Sequence, residues 1–239
     1  MVRLRLNAEY FIISTMIKIL ALDTSTEYCS LALNLGGEVI TREVLAGQRH
    51  SELILPMLQE MLDEADISLN ALDGIAFGSG PGSFTGLRIG CGVAQGLAFG
   101  ANLPIAGICT LEALAEGSEG TRVISCLDAR MGEIYHAIYE KSDGEWQVVS
   151  APGLYAPLNA PLVEGYDWIG CGSGFAAYGE LLLAHYGSQL KAVTGDVFPH
   201  ARHIASLAIP VFEQGRAVEA CNAAPLYIRD KVALKTSER

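Results

Sequence analysis

The chain has 239 residues, half of them hydrophobic and 18% charged, with a formal net charge of −11. That make-up excludes global disorder and suits one broad or two modest globular domains. The acidic balance argues against a protein that binds nucleic acid by itself, since phosphate recognition needs a basic face that displaces counterions.

Residues 1–15 have a basic start (Arg3, Arg5) and an apolar patch (Tyr10 to Ile13), which weakly imitates a secretory signal. Lys18 interrupts the apolar run and no small-residue cleavage site follows, so these residues are expected to be an extension ahead of a natural start at Met16. Ile17 to Asp23 then reads as a buried strand ending on a carboxylate, and Tyr28 to Leu35 as a second, with Leu31, Leu33 and Leu35 on one face. Gly36-Gly37 turns the chain into Glu38 to Leu45, completing an antiparallel meander whose first turn is Asp23-Thr24-Ser25-Thr26. A helix is predicted from an N-cap at Ser51 to Ala65, with Pro56 tolerated near its first turn. Its apolar residues spread over about 200° of the helical wheel, more than one sheet face covers, and the surplus predicts a second contact.

Leu72 to Ser79 is the next strand, followed by the most informative stretch of the chain: Gly78-Ser-Gly-Pro-Gly-Ser-Phe-Thr-Gly-Leu-Arg-Ile-Gly90. Gly80-Pro81-Gly82 must be a tight loop. The helix behind it, Thr85 to Ala101, carries Gly86, Gly90, Gly92, Gly96 and Gly100. Each glycine inside a helix costs about 1 kcal/mol relative to alanine. What offsets that cost is close approach of another backbone, either in the helix's own core or in a docked partner. Pro104 to Cys109 as a strand and Leu111 to Ala115 as a short helix close the first unit near residue 116, and Gly117-Ser-Glu-Gly120 is a linker. Residues 89 to 111 lack charge, but Gln95, Asn102, Pro104 and the glycines break them into helix, turn and strand, and no membrane span is expected.

The second half opens with Arg122 to Leu127 as a strand ending on Asp128, partnered by Glu133 to Glu140 and Trp146 to Ser150. This echoes the first half and suggests an internal duplication. Trp168 to Cys171 is a further strand, Phe175 to Tyr186 and His200 to Gln214 are helices, and Pro225 to Arg229 begins a short terminal segment. The predicted organisation is an extension (1–15), a first domain (16–116) and a second domain (121–239) whose last ~15 residues return to the first.

A strand, an Asp and a hydroxyl-rich turn are what a phosphate cradle with a divalent cation requires: backbone N–H groups and hydroxyls for phosphate, a carboxylate for the metal. Asp23 to Thr26 and Asp128-Ala129-Arg130-Met131-Gly132 are the two candidate halves of such a cleft. The alternative is a pair of ordinary turns in which each Asp satisfies local backbone donors. The Walker lysine, the dinucleotide-binding glycine fingerprint and the Gly-x-Ser-x-Gly elbow are all missing. His200 and His203 share a helical face without a third ligand nearby, so no metal site is assigned. Six cysteines stand singly in mostly apolar surroundings, as buried free thiols of a reducing, cytoplasmic compartment would.

Four blocks now stand in order: Ile19-Leu-Ala-Leu-Asp-Thr-Ser-Thr26, Gly78 to Gly90, Leu127-Asp-Ala-Arg-Met-Gly-Glu-Ile-Tyr135 and Pro225-Leu-Tyr-Ile-Arg229. Together they resemble the TsaB family, also called YeaZ, over the chain from about Met16 onward. The resemblance implies an α/β, two-domain fold of the actin/Hsp70/sugar-kinase (ASKHA) type, each domain a mixed sheet with flanking helices. It also implies a part in making threonylcarbamoyladenosine at position 37 of tRNA, as a non-catalytic subunit pairing with the metal-binding paralogue TsaD and joined by the ATPase TsaE. TsaD-like chains carry a His-x-x-x-His metal pair that this sequence lacks. TsaB-like proteins pair through their first two helices, which places the candidate partner interface at Ile54, Leu58, Met61, Gly86, Ile89, Gly92, Val93, Gly96 and Leu97. A vestigial nucleotide cleft is expected at Asp23, Thr24, Ser25, Thr26, Ser79, Gly80, Asp128 and Arg130, with no cofactor required and residual ADP or ATP binding left open. A homodimer is expected when the partner is missing, and tRNA contact only through the complex. The runner-up is a stand-alone phosphotransferase or ATPase; a peptidase, for which no triad or metal set exists, ranks last.

Overall fold

The structure is a computed structural model that describes residues 17–229; the predicted extension and the last ten residues lie outside the described residues. The first lobe begins with β1 (Lys18–Asp23), β2 (Tyr28–Leu35) and β3 (Val39–Leu45), the predicted antiparallel meander. β1 and β2 are apolar at consecutive positions because both of their faces are covered. β4 (Gly74–Gly80) and β5 (Ile105–Cys109) join parallel to β1, giving the strand order β3-β2-β1-β4-β5.

Helices α1 (His50–Glu64) and α2 (Phe84–Ala101) cover one face of this sheet. α1 starts one residue before the predicted cap: Arg49 is at the N-cap and Ser51 lies inside the first turn, because buried His50 is drawn in to the carbonyl of Tyr28 at 3.2 Å. α2 has the cap that Ser83 supplies by accepting from the N–H of Gly86, and it stops at Asn102, which takes the left-handed conformation with φ 54°.

The second lobe repeats the plan. β6 (Arg122–Asp128), β7 (Ile134–Ser142) and β8 (Glu145–Tyr155) form a second meander, with β9 (Trp168–Cys171) and β10 (Leu190–Thr194) parallel beside β6, in the order β10-β9-β6-β7-β8. Position by position this is the order of the first sheet, so the duplication faintly visible in the sequence is plain in the topology. β10 was not predicted, because its residues are half-buried or exposed and carry no apolar run. α4 (Ser173–Tyr186) covers the outer face, with Phe175 and Leu182 against Ile124, Ile134 and Ile138.

α3 (Thr110–Glu116) and α5 (Ala201–Glu213) fill the space between the two sheets. α3 places Leu111 and Leu114 against Val123, Leu127 and Tyr139 of the second lobe, while α5 places Ile204 and Ala208 against Ile19, Ala21 and Ala76 of the first. The chain therefore returns to the first lobe at about residue 200, well before its last ~15 residues. The second lobe opens with β6 at Arg122, and the predicted second domain of 121–239 is too long, because α5 and residues 216–227 pack with the first lobe. Helix layers outside and between two mixed sheets of equal topology are the ASKHA architecture. Among the described residues no helix is long and apolar enough to cross a membrane.

Candidate functional site

Two places carry the predicted site residues: the cleft between the lobes and the outward side of α2. The cleft is a cavity of about 720 Å³ whose walls include Ser25, Thr26, Ser83, Asp128, Arg130 and Arg229. The two Asp-bearing turns thus do face one another across it, but most of their polar groups are already engaged.

Asp23 is 1% exposed and points away from the cavity, toward β4, where Gly78 leaves room for its carboxylate: a Cβ on Gly78 would fall on Asp23 Oδ2. Its Oδ1 accepts from the backbone N–H of Ser25 at 3.0 Å and the Ser25 hydroxyl at 2.8 Å, while Oδ2 is buried without a partner. Burial raises its pKa to about 7, the Ser25 hydrogen bonds only partly opposing the rise. Thr24 is buried and donates its hydroxyl to the carbonyl of Gly86 at 2.7 Å, tying the first turn to α2. Thr26 accepts from the N–H of Tyr28, and Ser83 is spent as the α2 cap. Ser79 is buried and donates to the carbonyl of Ile108, and Gly80 is buried under the carbonyl of Leu226.

On the other wall, Asp128 accepts from the backbone N–H of Arg130 at 2.8 Å and pairs with its guanidinium at 2.9 Å, with Tyr178 donating at 3.3 Å. Of the eight predicted cleft residues, Ser25, Thr26, Asp128 and Arg130 line the cavity; Asp23, Thr24, Ser79 and Gly80 do not, because they knit the first lobe together behind it. The two turn carboxylates are poorly placed to hold a cation between them: Asp23 faces the protein interior and Asp128 is ion-paired with Arg130, while Glu27 and Asp196 are the other carboxylates in the cavity wall. Among the described residues no three His, Cys, Asp or Glu side chains converge on a metal position. His200 and His203 have ring centroids 6.1 Å apart and turn to different partners, Glu43 and Arg202.

The glycines of α2 divide cleanly. Gly86 and Gly90 face inward, where a Cβ would fall on the carbonyl oxygen of Thr24 or lie 2.6 Å from its hydroxyl. Gly92, Gly96 and Gly100 have nothing within 4 Å of a Cβ position and are exposed. Ile89, Val93 and Leu97 are half-buried along the same helix, and Phe99 at its end is 81% exposed. Phe99 follows Gly92 by seven residues and Gly96 by three, so it continues their stripe. That spacing was the signal available for it, and the prediction of the interface passed over it.

The α1 half of the predicted interface requires correction. Ile54, Leu58 and Met61 are 1%, 4% and 0% exposed, buried in the first lobe's own core with Leu31, Leu33 and Phe77. The wide apolar arc is used up internally, because Ile67, Leu69 and Leu72 after the helix pack up against it from the side. Of that arc Leu55 stands out at 50% exposure, among Glu52, Gln59, Glu60 and Asp63. Gly86 likewise leaves the partner list, since its open side is filled by Thr24. What remains outward is Gly92 and Gly96, with Phe99 added; Ile89, Val93 and Leu97 flank them half-buried, Val93 and Leu97 packing in part on the first lobe's core.

A family model described as TsaD, tRNA N6-adenosine threonylcarbamoyltransferase, matches residues 38–235. The tRNA threonylcarbamoyladenosine biosynthesis protein TsaB of Escherichia coli is 38% identical over 230 residues, which span 91% of this chain and 97% of that protein. Its counterpart in Haemophilus influenzae is 38% identical over 232 residues, 91% of this chain and 95% of that one. Among solved structures, YeaZ from Pseudomonas aeruginosa has a TM-score of 0.83 at 37% identity, covering 89% of this chain and 100% of that one.

Proposed function

Because the chain belongs to the TsaB (YeaZ) family, we propose that it takes part in the biosynthesis of tRNA threonylcarbamoyladenosine as a non-catalytic scaffold that pairs with a TsaD-like paralogue through the outward side of α2. The observation that carries this reading is the set of exposed glycines at 92, 96 and 100, which meet nothing within the monomer. Their helical cost, about 1 kcal/mol each, is left without an internal return. Glycine at that spacing lets a second helix come close, and Phe99, Ile89 and Val93 supply apolar contact around it. The acidic face of α1 alongside suits a partner with a basic rim.

The cleft supports the non-catalytic half of the proposal. Asp23 is buried without a partner and Asp128 is paired with Arg130, so neither carboxylate of the two Asp-bearing turns is free to position a cation. Catalysis then falls to the paralogue, with a TsaE-like ATPase joining the pair and tRNA reached only through the assembly. The net charge of −11 agrees with that indirect route. The test is a reconstituted mixture of TsaC-, TsaD- and TsaE-like proteins with substrate tRNA, assayed for the modified nucleoside with and without this chain. Modification should depend on its addition. A mixture that works equally well without it would end the proposal.

A further inference from the structure

The chain after α5 does not simply end on the first lobe; it is fastened there step by step and then crosses to the second. Gly215 turns with φ 64°, and the N–H of Arg216 closes the turn on the carbonyl of Val211 at 2.9 Å. Val218 pairs antiparallel with Ile105, exchanging two backbone bonds of 2.9 Å and so capping the edge of β5. Gln95 of α2 donates to the carbonyls of Ala220 and Ala223 at 3.2 and 3.0 Å, satisfying backbone that no sheet satisfies. The N–H of Leu226 then bonds the carbonyl of Ser79 at 2.7 Å. Tyr227 leans on Phe84 at 5.7 Å and accepts from Arg88 Nε at 3.0 Å.

Two residues later the attachment changes lobes. Arg229 pairs with Glu133 Oε2 at 2.7 Å and donates to the carbonyl of Arg130 at 3.4 Å, its side chain only 12% exposed. Both acceptors belong to the turn between β6 and β7, which lines the cleft and holds Arg130, Met131 and Gly132 at φ 61°, 58° and 78°. Left-handed conformations at two non-glycine residues in succession are strained, and the Arg229 guanidinium, whose Nη2 reaches both the Glu133 carboxylate and the Arg130 carbonyl while Nη1 meets Met131 Sδ, is placed to hold them. The chain passes between the lobes near residue 117 and again near 200, and α3 packs beside these crossings with Glu116 bonded to Lys141 and Trp146 of the second lobe. The two crossings leave a hinge axis between the lobes, and a further tie at the cleft restrains rotation about it.

We propose that residues 216–229 form a strap that fixes the opening between the two lobes, with the Arg229–Glu133 pair as its latch, so that the chain itself sets the width of the cleft. Arg229 acts as a positioning residue for the β6–β7 turn. The test is the lobe-to-lobe distance distribution measured by pulsed electron spin resonance in the isolated chain. Labels go on cysteines introduced at exposed Gln48 and Glu180 in a Cys221→Ser background, diluted into excess unlabelled chain so that only intramolecular pairs are read. The parent distribution should be narrow. Arg229→Met and Glu133→Gln should each broaden it and shift it to longer distance, and the exchanged pair Arg229→Glu with Glu133→Arg should recover most of the parent width. Glu133 is half-exposed, so its variant reads the latch even if Arg229→Met fails to fold. An unchanged distribution in Glu133→Gln, or broadening that the exchanged pair does not reverse, would overturn the proposal.

Discussion

Replacing Gly92 and Gly96 together by alanine should stabilise the isolated chain, whereas the same change at Gly86 or Gly90 should destabilise it, although all four lie in one helix. For the outer pair, an added Cβ meets nothing within 4 Å, so the helical gain of about 1 kcal/mol per site is realised in full. Two sites give about 2 kcal/mol, or an increase in melting temperature of roughly 4–8 °C for a chain of this size. For the inner pair the same gain is outweighed. A Cβ at Gly86 collides with the Thr24 carbonyl oxygen and displaces the turn whose hydroxyl bonds Gly86 O at 2.7 Å; one at Gly90 sits 2.6 Å from that hydroxyl. Overpacking of this kind costs ~1–3 kcal/mol and the lost buried hydrogen bond ~1 kcal/mol more, leaving Gly86→Ala destabilised by roughly 1–3 kcal/mol after the helical gain. Urea titration followed by circular dichroism, at a concentration where light scattering shows a single species, measures all of these. Loss of stability in the Gly92→Ala/Gly96→Ala pair would mean that these glycines serve the monomer and would refute the division of the helix into an inner and an outer side.

Asp23 and His136 should give the stability curve slopes of opposite sign. The pKa of Asp23 is raised from 3.8 to about 7, so the folded state keeps a proton that the unfolded chain gives up; this contribution is whole below pH ~4 and is lost as pH rises to about 7. Asp23→Asn, which cannot ionise, should therefore gain over the parent by as much as ~4 kcal/mol between pH 4 and 8 in urea midpoints, and an equal difference at both ends would contradict the burial argument. His136, fully buried against the Tyr186 hydroxyl at 2.8 Å, has its pKa lowered by burial from 6.5 to about 4. Here the unfolded chain takes up the proton first, so stability falls as pH drops from 6.5 toward 4; His136→Gln should flatten that limb, and a limb left as steep would reject the assignment. Without its partner the chain should self-associate to cover the α2 stripe, and Gly96→Arg should shift light scattering toward the monomer mass; a parent that is already monomeric would show that the stripe tolerates water.

The glycine-rich block was the most legible part of this chain because two separate requirements are written into it. Gly80-Pro81-Gly82 can only be a loop, and five glycines in the following helix demand close neighbours. Which neighbours was not legible: the helical wheel puts Gly86 and Gly92 about a third of a turn apart, yet only the placement of Thr24, more than 60 residues earlier, decides which side is filled. The repeated strand-Asp-turn pattern foretold two like lobes, and equal strand order bears that out. It did not foretell that Asp23 faces inward. The one hint was Gly78 within a strand, since glycine there often marks close approach of another group; here that group is the Asp23 carboxylate. The α1 arc misled because width on a wheel counts apolar residues without counting the walls around them, and Ile67, Leu69 and Leu72 supply an extra wall. The return of α5 was invisible for the same reason that loops spanning lobes are: its apolar stripe suits either sheet.

The most direct measurement of the central claim is a calorimetric titration of the chain into its TsaD-like paralogue, comparing the parent, Gly92→Arg and a control, Glu145→Arg, at the exposed start of β8 on the second lobe. Gly92 is exposed in the monomer, so the arginine should leave the fold intact, while in the complex it would bury an unpaired charge. The account predicts a Kd weakened by at least about 30-fold, equivalent to ~2 kcal/mol, with the control unchanged. Equal affinity for all three would contradict it.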